Sequence, residues 1–140
     1  MIFKQVSVFV ENTVGRLAAI TKILADNNID LKASTIAETV DFGILRFIVE
    51  DPEAAVRLLI GSGFTASISQ VIGVSLEDKP GGLYDVLAVL ADAEIAVNYI
   101  YSTIKSDEGK ALIVMKVSDE EKAIDVLNKK GIKLMSPEEL

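Results

Sequence analysis

The apolar residues change their spacing along the chain in a way that predicts alternating strands and helices. Near the start they alternate with polar residues, as in a half-buried strand, at Phe3, Val6, Val8 and Val10. After a turn at Glu11–Gly15 they recur every three or four residues, as on one face of a helix, at Leu17, Ile20 and Leu24. Short polar side chains at 26–28 then end this predicted helix, because they compete for its backbone hydrogen bonds.

The pattern continues through two more strands, a second helix and a last strand. The β-rich runs 29–38 and 44–49 are joined by a hairpin signal at 41–43. Asp51 is placed to cap a helix that has Pro52 at its first position. Gly61–Gly63 end that helix, and 64–68 form a short strand. Residues 1–68 therefore predict the order β-α-β-β-α-β.

The second half of the chain repeats this unit. Gly15 and Gly81 lie 66 residues apart, and the residues around them correspond in order. Strands are predicted at 71–76, 95–104, 111–117 and 132–135, with a turn at 106–109. Ser118 and Glu121 predict a capping box for the last helix. We expect an α+β chain of two tandem ferredoxin-like βαββαβ units, with domains 1–68 and 69–140.

Composition excludes several classes of site. The 140 residues carry 14 Lys and Arg against 21 Asp and Glu, a net charge of −7, which disfavours nucleic acid as a partner. Cysteine and histidine are both absent, which removes disulfides, thiolate nucleophiles and Ser-His-Asp triads. We expect no membrane partner, because no apolar run reaches the roughly 18 residues of a spanning helix. No signal-peptide pattern is seen, so a cytoplasmic location is expected by default.

Two loops carry the recognisable motif, Asn12-Thr13-Val14-Gly15-Arg16-Leu17 and Asp78-Lys79-Pro80-Gly81-Gly82-Leu83. In their β-α context they resemble the ACT domain, a small regulatory module that binds amino acids. Val14 departs from the proline that the family often has there. The resemblance covers nearly the whole chain twice and implies a free-standing tandem ACT protein. It implies a free amino acid as ligand, no cofactor and no catalysis.

The loops offer the two opposite charges that an α-amino acid needs. Backbone N–H groups after Gly15 and Gly81 could hold a carboxylate at a helix N-terminus. Asn12 or Asp78 could accept from the ammonium group, and Asp30 could join from the next strand. The structural alternative is that both loops are only tight strand-to-helix turns.

In many ACT assemblies the ligand lies between two units, touching the loop of one and the second strand of the other. The resemblance therefore implies a ligand-binding set from loops and second strands: Asn12, Val14, Gly15, Arg16, Leu17, Asp30, Ser34, Asp78, Pro80, Gly81, Gly82, Leu83, Asn98 and Tyr101. For Tyr101 ordinary packing on a sheet face is the alternative. The acidic run 118–121 is explained by a helix N-terminus, so no metal is expected.

Three functions remain open from the sequence. The first is an amino-acid sensor, expected to be a homodimer. The second is a regulatory subunit that acts mainly through contact with an amino-acid metabolic enzyme. The third is an enzyme on the same fold. Because histidine and cysteine are absent, its base would be an Asp, Glu, Lys or Tyr, with Asp30 and Asp78 as candidates.

Overall fold

A computed structural model describes residues 1–104 and 108–140. The predicted turn residues Ser106 and Asp107 lie outside the described residues. The chain divides into two compact units, Lys4–Ser69 and a second one made of Met1–Phe3 with Gln70–Leu140. We call them the N-terminal unit and the C-terminal unit.

The N-terminal unit has the predicted order of elements. They are β1 (Ile2–Glu11), α1 (Arg16–Asp26), β2 (Ala33–Glu38), β3 (Phe42–Ile48), α2 (Pro52–Gly61) and the first residues of β4 (Ala66–Glu77). The strands lie in the order β2-β3-β1-β4. The β1–β3 and β2–β3 pairs are antiparallel, with Val10 opposite Gly43 and Glu38 opposite the same glycine.

Alternation along the strands places the core of this unit on one face of its sheet. Val6, Val8 and Val10 of β1 are all buried, and they join α1 and α2 residues in one apolar cluster. Ile20 and Leu24 supply the buried stripe of α1 at the helical spacing that the sequence shows.

The predicted helix boundaries of this unit are confirmed. Gly15 precedes α1 in the left-handed conformation, at φ 88°. Asn28, at φ 55°, follows the same helix in the conformation that asparagine tolerates. The Asp51 side chain accepts a hydrogen bond from the Ala54 backbone at 3.0 Å, and Pro52 occupies the first turn of α2.

The C-terminal unit repeats the same order. Its elements are the rest of β4, α3 (Gly82–Asp92), β5 (Val97–Ser102), β6 (Lys110–Val117), α4 (Glu120–Lys129) and β7 (Lys133–Leu134), followed by a short 3-10 helix, Pro137–Glu139. β4 pairs with β6 on one side and with β7 on the other, and β5 lies beyond β6. Each unit is a ferredoxin-like βαββαβ arrangement, so the predicted fold class is confirmed.

The non-helical face of β4 carries a close aromatic contact in this unit. Gly73 is buried, and a Cβ placed there would lie 2.8 Å from the Phe3 ring and 3.3 Å from Met135. Phe3 and Met135 are 1% and 2% exposed. Glycine is needed at this position because any side chain would push the ring away.

Three predictions about element boundaries are wrong. The strands expected at 64–68 and 71–76 are one continuous strand, β4, so the domain boundary at 68/69 stays a prediction. β2 and β5 are shorter than the runs expected at 29–38 and 95–104. Asp119 rather than Ser118 caps α4, accepting from the Lys122 backbone at 3.0 Å, while the Ser118 hydroxyl accepts from the Ala96 backbone.

Candidate functional site

The β1–α1 loop of the N-terminal unit is a tight turn held by backbone hydrogen bonds. The Thr13 N–H donates to the Glu11 carbonyl at 2.8 Å, and the Arg16 N–H donates to the Thr13 carbonyl at 3.4 Å. The Asn12 N–H donates to the Asp41 carbonyl at 3.0 Å. The loop is therefore fixed to the β2–β3 hairpin beside it.

At the start of α1, next to this loop, some backbone N–H groups have no hydrogen-bond acceptor among the described residues. Gly15 gives the helix no side-chain cap, and its carbonyl accepts from the Ala19 N–H further along. Within 1–104 and 108–140, the N–H groups of Leu17 and Ala18 donate to no other residue. Such groups, together with the helix dipole, favour an anion.

The β4–α3 loop of the C-terminal unit has nearly the same geometry. The Lys79 N–H donates to the Glu77 carbonyl at 3.0 Å, and the Asp78 N–H donates to the Gly109 carbonyl at 3.1 Å. Gly81 is left-handed at φ 87°, again with no side-chain cap. No described residue accepts from the N–H groups of Leu83 and Tyr84, which therefore repeat the donors seen in the first unit.

The two loops differ in the residue after the left-handed glycine. In the C-terminal unit it is Gly82, where a Cβ would lie 2.0 Å from the Glu77 carbonyl oxygen. In the N-terminal unit it is Arg16, whose guanidinium carbon lies 4.6 Å from the centre of the Phe64 ring. The first loop thus carries an arginine at a position where the second has no room for a side chain, and the cation of the second loop is Lys79, which precedes its glycine.

The two residues of the ion pair next to the second loop balance each other's charge. Glu77 and Lys110, opposite each other on β4 and β6, form an ion pair. The hydrogen bond from the Lys110 ammonium lowers the pKa of Glu77, and the attraction between their charges lowers it further. Glu77 is therefore ionised at neutral pH, and the charge of Lys110 balances its own.

Asp30 and Ser34 lie far from the loop of their own unit. Asp30 precedes β2, its side chain is 86% exposed, and its carboxylate is 3.9 Å from the Lys32 ammonium. Ser34 is opposite Phe47, which is itself opposite Val6, near the other end of the sheet from Glu11. The length of β2 separates them from the loop by roughly 15–20 Å.

The second-strand residues of the C-terminal unit are placed in a similar way. Asn98 is exposed and lies at an irregularity between Val97 and Tyr99, in the half of β5 far from the Asp78 loop. Tyr101 is 7% exposed and lies opposite Val114 on the non-helical face. Tyr101 is therefore a buried residue of this sheet face.

The remaining predicted residues lie in the loops or in the first turn of the helix that follows each loop. Val14 is fully exposed and Leu17 is 41% exposed, while Pro80 is exposed and Leu83 packs partly against the core of its unit. Each loop thus presents backbone donors beside apolar side chains.

Two residues outside the motif support the first loop from neighbouring elements. The sequence pattern predicts only a hairpin turn at Asp41, yet its carbonyl accepts from the Asn12 N–H. The pattern predicts only a strand at Phe64, yet its ring lies under the Arg16 guanidinium. Neither contact has a signal in the spacing of residues, because both join segments distant along the chain.

The part of the chain that the structure describes contains no cluster of three or more Asp or Glu side chains placed to hold a metal ion. None of the helices described combines the length and the apolar character that crossing a membrane requires.

Comparison with known proteins identifies the family. A family model described as an ACT domain pair matches residues 1–140. Protein BT0572 from Bacteroides thetaiotaomicron has a similar crystal structure, at 40% identity and a TM-score of 0.91, covering 98% of this chain and 94% of that one. No curated protein gave a match.

Two more distant structures share the fold. The ligand-free regulatory subunit of aspartate kinase from Thermus thermophilus is 13% identical with a TM-score of 0.66, covering 90% of this chain and 91% of that one. A structure of aspartokinase alpha and beta subunits is 20% identical with a TM-score of 0.58, covering 91% and 95%. With the family model matching from end to end, the chain belongs to the ACT domain pair family.

Proposed function

We propose that this protein is a non-catalytic regulatory protein that binds a free amino acid at the strand-to-helix loop of each unit. The observation that carries the proposal is the repeated pair of unpartnered N–H groups at a helix start, Leu17 with Ala18 and Leu83 with Tyr84, among the residues described. They are fixed donors that match a carboxylate, and a helix N-terminus adds favourable partial charge.

The ammonium group of the ligand needs an acceptor near the same loop. The Asn12 side-chain carbonyl and the Asp78 carboxylate occupy corresponding positions, one residue after the strand ends. Both side chains are exposed and make no ion pair with another described residue. We propose them as the ammonium acceptors of the two units.

The contribution of Asp30, Ser34, Asn98 and Tyr101 remains a proposal that rests on the family. In their own units Asp30, Ser34 and Asn98 lie away from the loop. They would therefore contact only a ligand that is bound at the loop of another unit. A ligand that binds one arrangement of units better than another shifts their populations, which is sufficient for regulation.

The test is a thermal-shift screen of the full chain against the twenty standard L-amino acids at millimolar concentration. A ligand that binds only the folded state, at about 100 times its Kd, stabilises it by about 2.7 kcal/mol. For a chain of this size, that corresponds to roughly 5–10 °C in Tm. A selective rise is expected; no rise with any amino acid would contradict the proposal.

A matched pair of variants places the binding site. Asp78→Asn removes the negative charge from the second loop, whereas Asp92→Asn removes one from an exposed position at the end of α3. We expect Asp78→Asn to weaken amino-acid binding in the C-terminal unit and Asp92→Asn to leave it unchanged. Equal effects of both changes would show that the loop carboxylate has no special role.

A second candidate function, contact with a partner protein, is favoured by an apolar surface in the N-terminal unit. Phe9 and Phe42 are 52% and 42% exposed, with ring centres 5.7 Å apart. Val40 and Val14, in the adjoining hairpin and loop, are 91% and fully exposed. Exposed apolar clusters of this kind mark protein contacts.

The partner in this second candidate is either a metabolic enzyme or a second copy of the chain. Sedimentation velocity of the protein and of Phe9→Ser tests the second copy. A dimer that Phe9→Ser converts to a monomer would support a homodimer through this surface. A monomer in both cases would contradict it.

A further inference from the structure

Arg16 combines a permanent charge with incomplete hydrogen bonding. Arginine is protonated at any pH at which proteins fold, and its five N–H groups all donate. No described residue forms an ion pair or a side-chain hydrogen bond with it. Its Nε is the one buried side-chain nitrogen or oxygen without a hydrogen-bond partner among the residues described.

This arrangement costs free energy unless an acceptor is supplied. A buried donor without a partner loses the hydrogen bonds that water would give it. The attraction between the guanidinium and the Phe64 ring, at 4.6 Å, offsets part of this cost but accepts no N–H. An oxygen anion beside Arg16 would satisfy both the charge and the donor.

The position of Arg16 links it to the loop. It is the first residue of α1, and the next two residues carry the unpartnered N–H groups. We infer that the Arg16 guanidinium binds a carboxylate of the amino acid in the N-terminal unit, and that the C-terminal unit, with Gly82 in this place, holds its ligand without a guanidinium. This inference rests on the proposed function.

The carboxylate has two sources that share this chemistry. It is either the α-carboxylate, shared between Arg16 and the helix N–H groups, or a second carboxylate on the ligand side chain. In the second case the N-terminal unit selects aspartate or glutamate over the corresponding amides. In both cases the two units of one chain differ in their response to loss of the arginine.

A purely structural role for Arg16 is the competing explanation. Its side chain would then only cover the edge of the core at Phe64, which is 9% exposed. Removing the charge would lower the stability of the unit without changing the affinity of the folded protein for its ligand. Affinity and stability must therefore be measured separately.

The experiment is an NMR titration of the full ¹⁵N-labelled chain with each of the twenty standard L-amino acids. The amide signals of Leu17 and Ala18 report the N-terminal unit, and those of Leu83 and Tyr84 report the C-terminal unit. Arg16→Gln removes the charge, Arg16→Lys keeps it, and Arg57→Gln removes a charge from an exposed position on α2 of the same unit.

We expect Arg16→Gln to raise the Kd in the N-terminal unit by about tenfold or more, the scale of a charge-assisted hydrogen bond. Arg16→Lys recovers part of the affinity, because it restores the charge but not the planar fork of donors. Arg57→Gln leaves the Kd unchanged, and no variant alters the C-terminal unit. Tighter binding of aspartate than asparagine identifies the side-chain carboxylate as the source, and equal binding identifies the α-carboxylate.

Three results would overturn the inference. If Arg16→Gln folds and binds like the wild type, Arg16 has a structural role only, and the proposed function stands. If amino acids shift the amides of the C-terminal unit alone, the N-terminal cation does not make a site. If no amino acid shifts the amides of either unit, both the inference and the proposed function fail.

Discussion

Gly82→Ala is expected to destabilise the C-terminal unit through a single backbone contact. The added Cβ would lie 2.0 Å from the Glu77 carbonyl oxygen, whereas such contacts are essentially never shorter than 3.0 Å. The carbonyl must therefore move by about 1 Å, since the neighbouring atom is backbone and not a flexible side chain. The turn that this carbonyl closes must open with it.

The size of the effect follows from what the turn loses. The Glu77 carbonyl accepts from the Lys79 N–H, and the Lys79 carbonyl accepts from the Gly82 N–H, each at 3.0 Å. Weakening two such bonds costs about 1 kcal/mol each, and overpacking adds about 1–3 kcal/mol. Replacing glycine in a helix returns about 0.5–1 kcal/mol. The net loss is about 2–4.5 kcal/mol.

Gly61→Ala is the matched control. Gly61 is the last residue of α2, and a Cβ there would meet nothing within 4 Å. The same chemical change is therefore expected to stabilise the protein by about 0.5–1 kcal/mol.

Urea unfolding followed by far-UV circular dichroism measures both variants. Thermal unfolding should show Tm falling by roughly 7–15 °C for Gly82→Ala and rising by a few degrees for Gly61→Ala. If Gly82→Ala were as stable as the wild type, the close approach of Glu77 to α3 would not exist, and the difference between the two loops at this residue would need another explanation.

Three further changes test other parts of the structure. Glu94 is in the left-handed conformation at φ 58°, so Glu94→Gly should raise the free energy of unfolding by about 1 kcal/mol. Asn28→Gly, at the corresponding site of the first unit, should raise it by less, because asparagine tolerates this conformation. An equal change in urea midpoint for the two variants would argue against strain at Glu94. Asp119→Ala removes the cap of α4 and should cost about 1 kcal/mol by the same assay, so an unchanged midpoint would show the cap to be dispensable. The hydrogen bond from Lys116 lowers the pKa of Glu120, so this stabilisation is present above the unfolded pKa and is lost as pH falls through the folded one. Lys116→Met should therefore flatten the decline in urea midpoint as the pH is lowered below 4.5, the ordinary value of a glutamate, and an unchanged decline would exclude the pair as its cause.

The sequence predicts the repeated unit well because local signals and the apolar pattern agree. Asp51 with Pro52 marks the start of α2, and Asn28 marks the end of α1, since their effects are confined to one helical turn. The α4 cap was misassigned because Ser118 and Asp119 are both competent caps. Only the tertiary contact with Ala96, which occupies the serine hydroxyl, decides between them.

The candidate site was predictable only in part, for a physical reason. The motif predicts the loops at Gly15 and Gly81, because a left-handed residue before a helix is a local requirement. It does not predict that Asp30 lies at the far end of β2, since that depends on the direction and register of the strand. Contacts such as that of Arg16 with Phe64 join segments that are distant along the chain, so the spacing of apolar and polar residues does not predict them.

The contact between Phe3 and Gly73 has consequences for folding during synthesis and for the design of fragments of the chain. Phe3 leaves the ribosome before almost all of the N-terminal unit, yet its ring packs in the C-terminal unit. The C-terminal unit therefore cannot be completed during synthesis by its own contiguous segment. A fragment that starts at Gln70 would lack a buried aromatic ring, a loss of about 3–5 kcal/mol. The two repeats are similar in sequence, but the second cannot be separated intact from the first. Deletion of the first copy would also remove part of the core of the second.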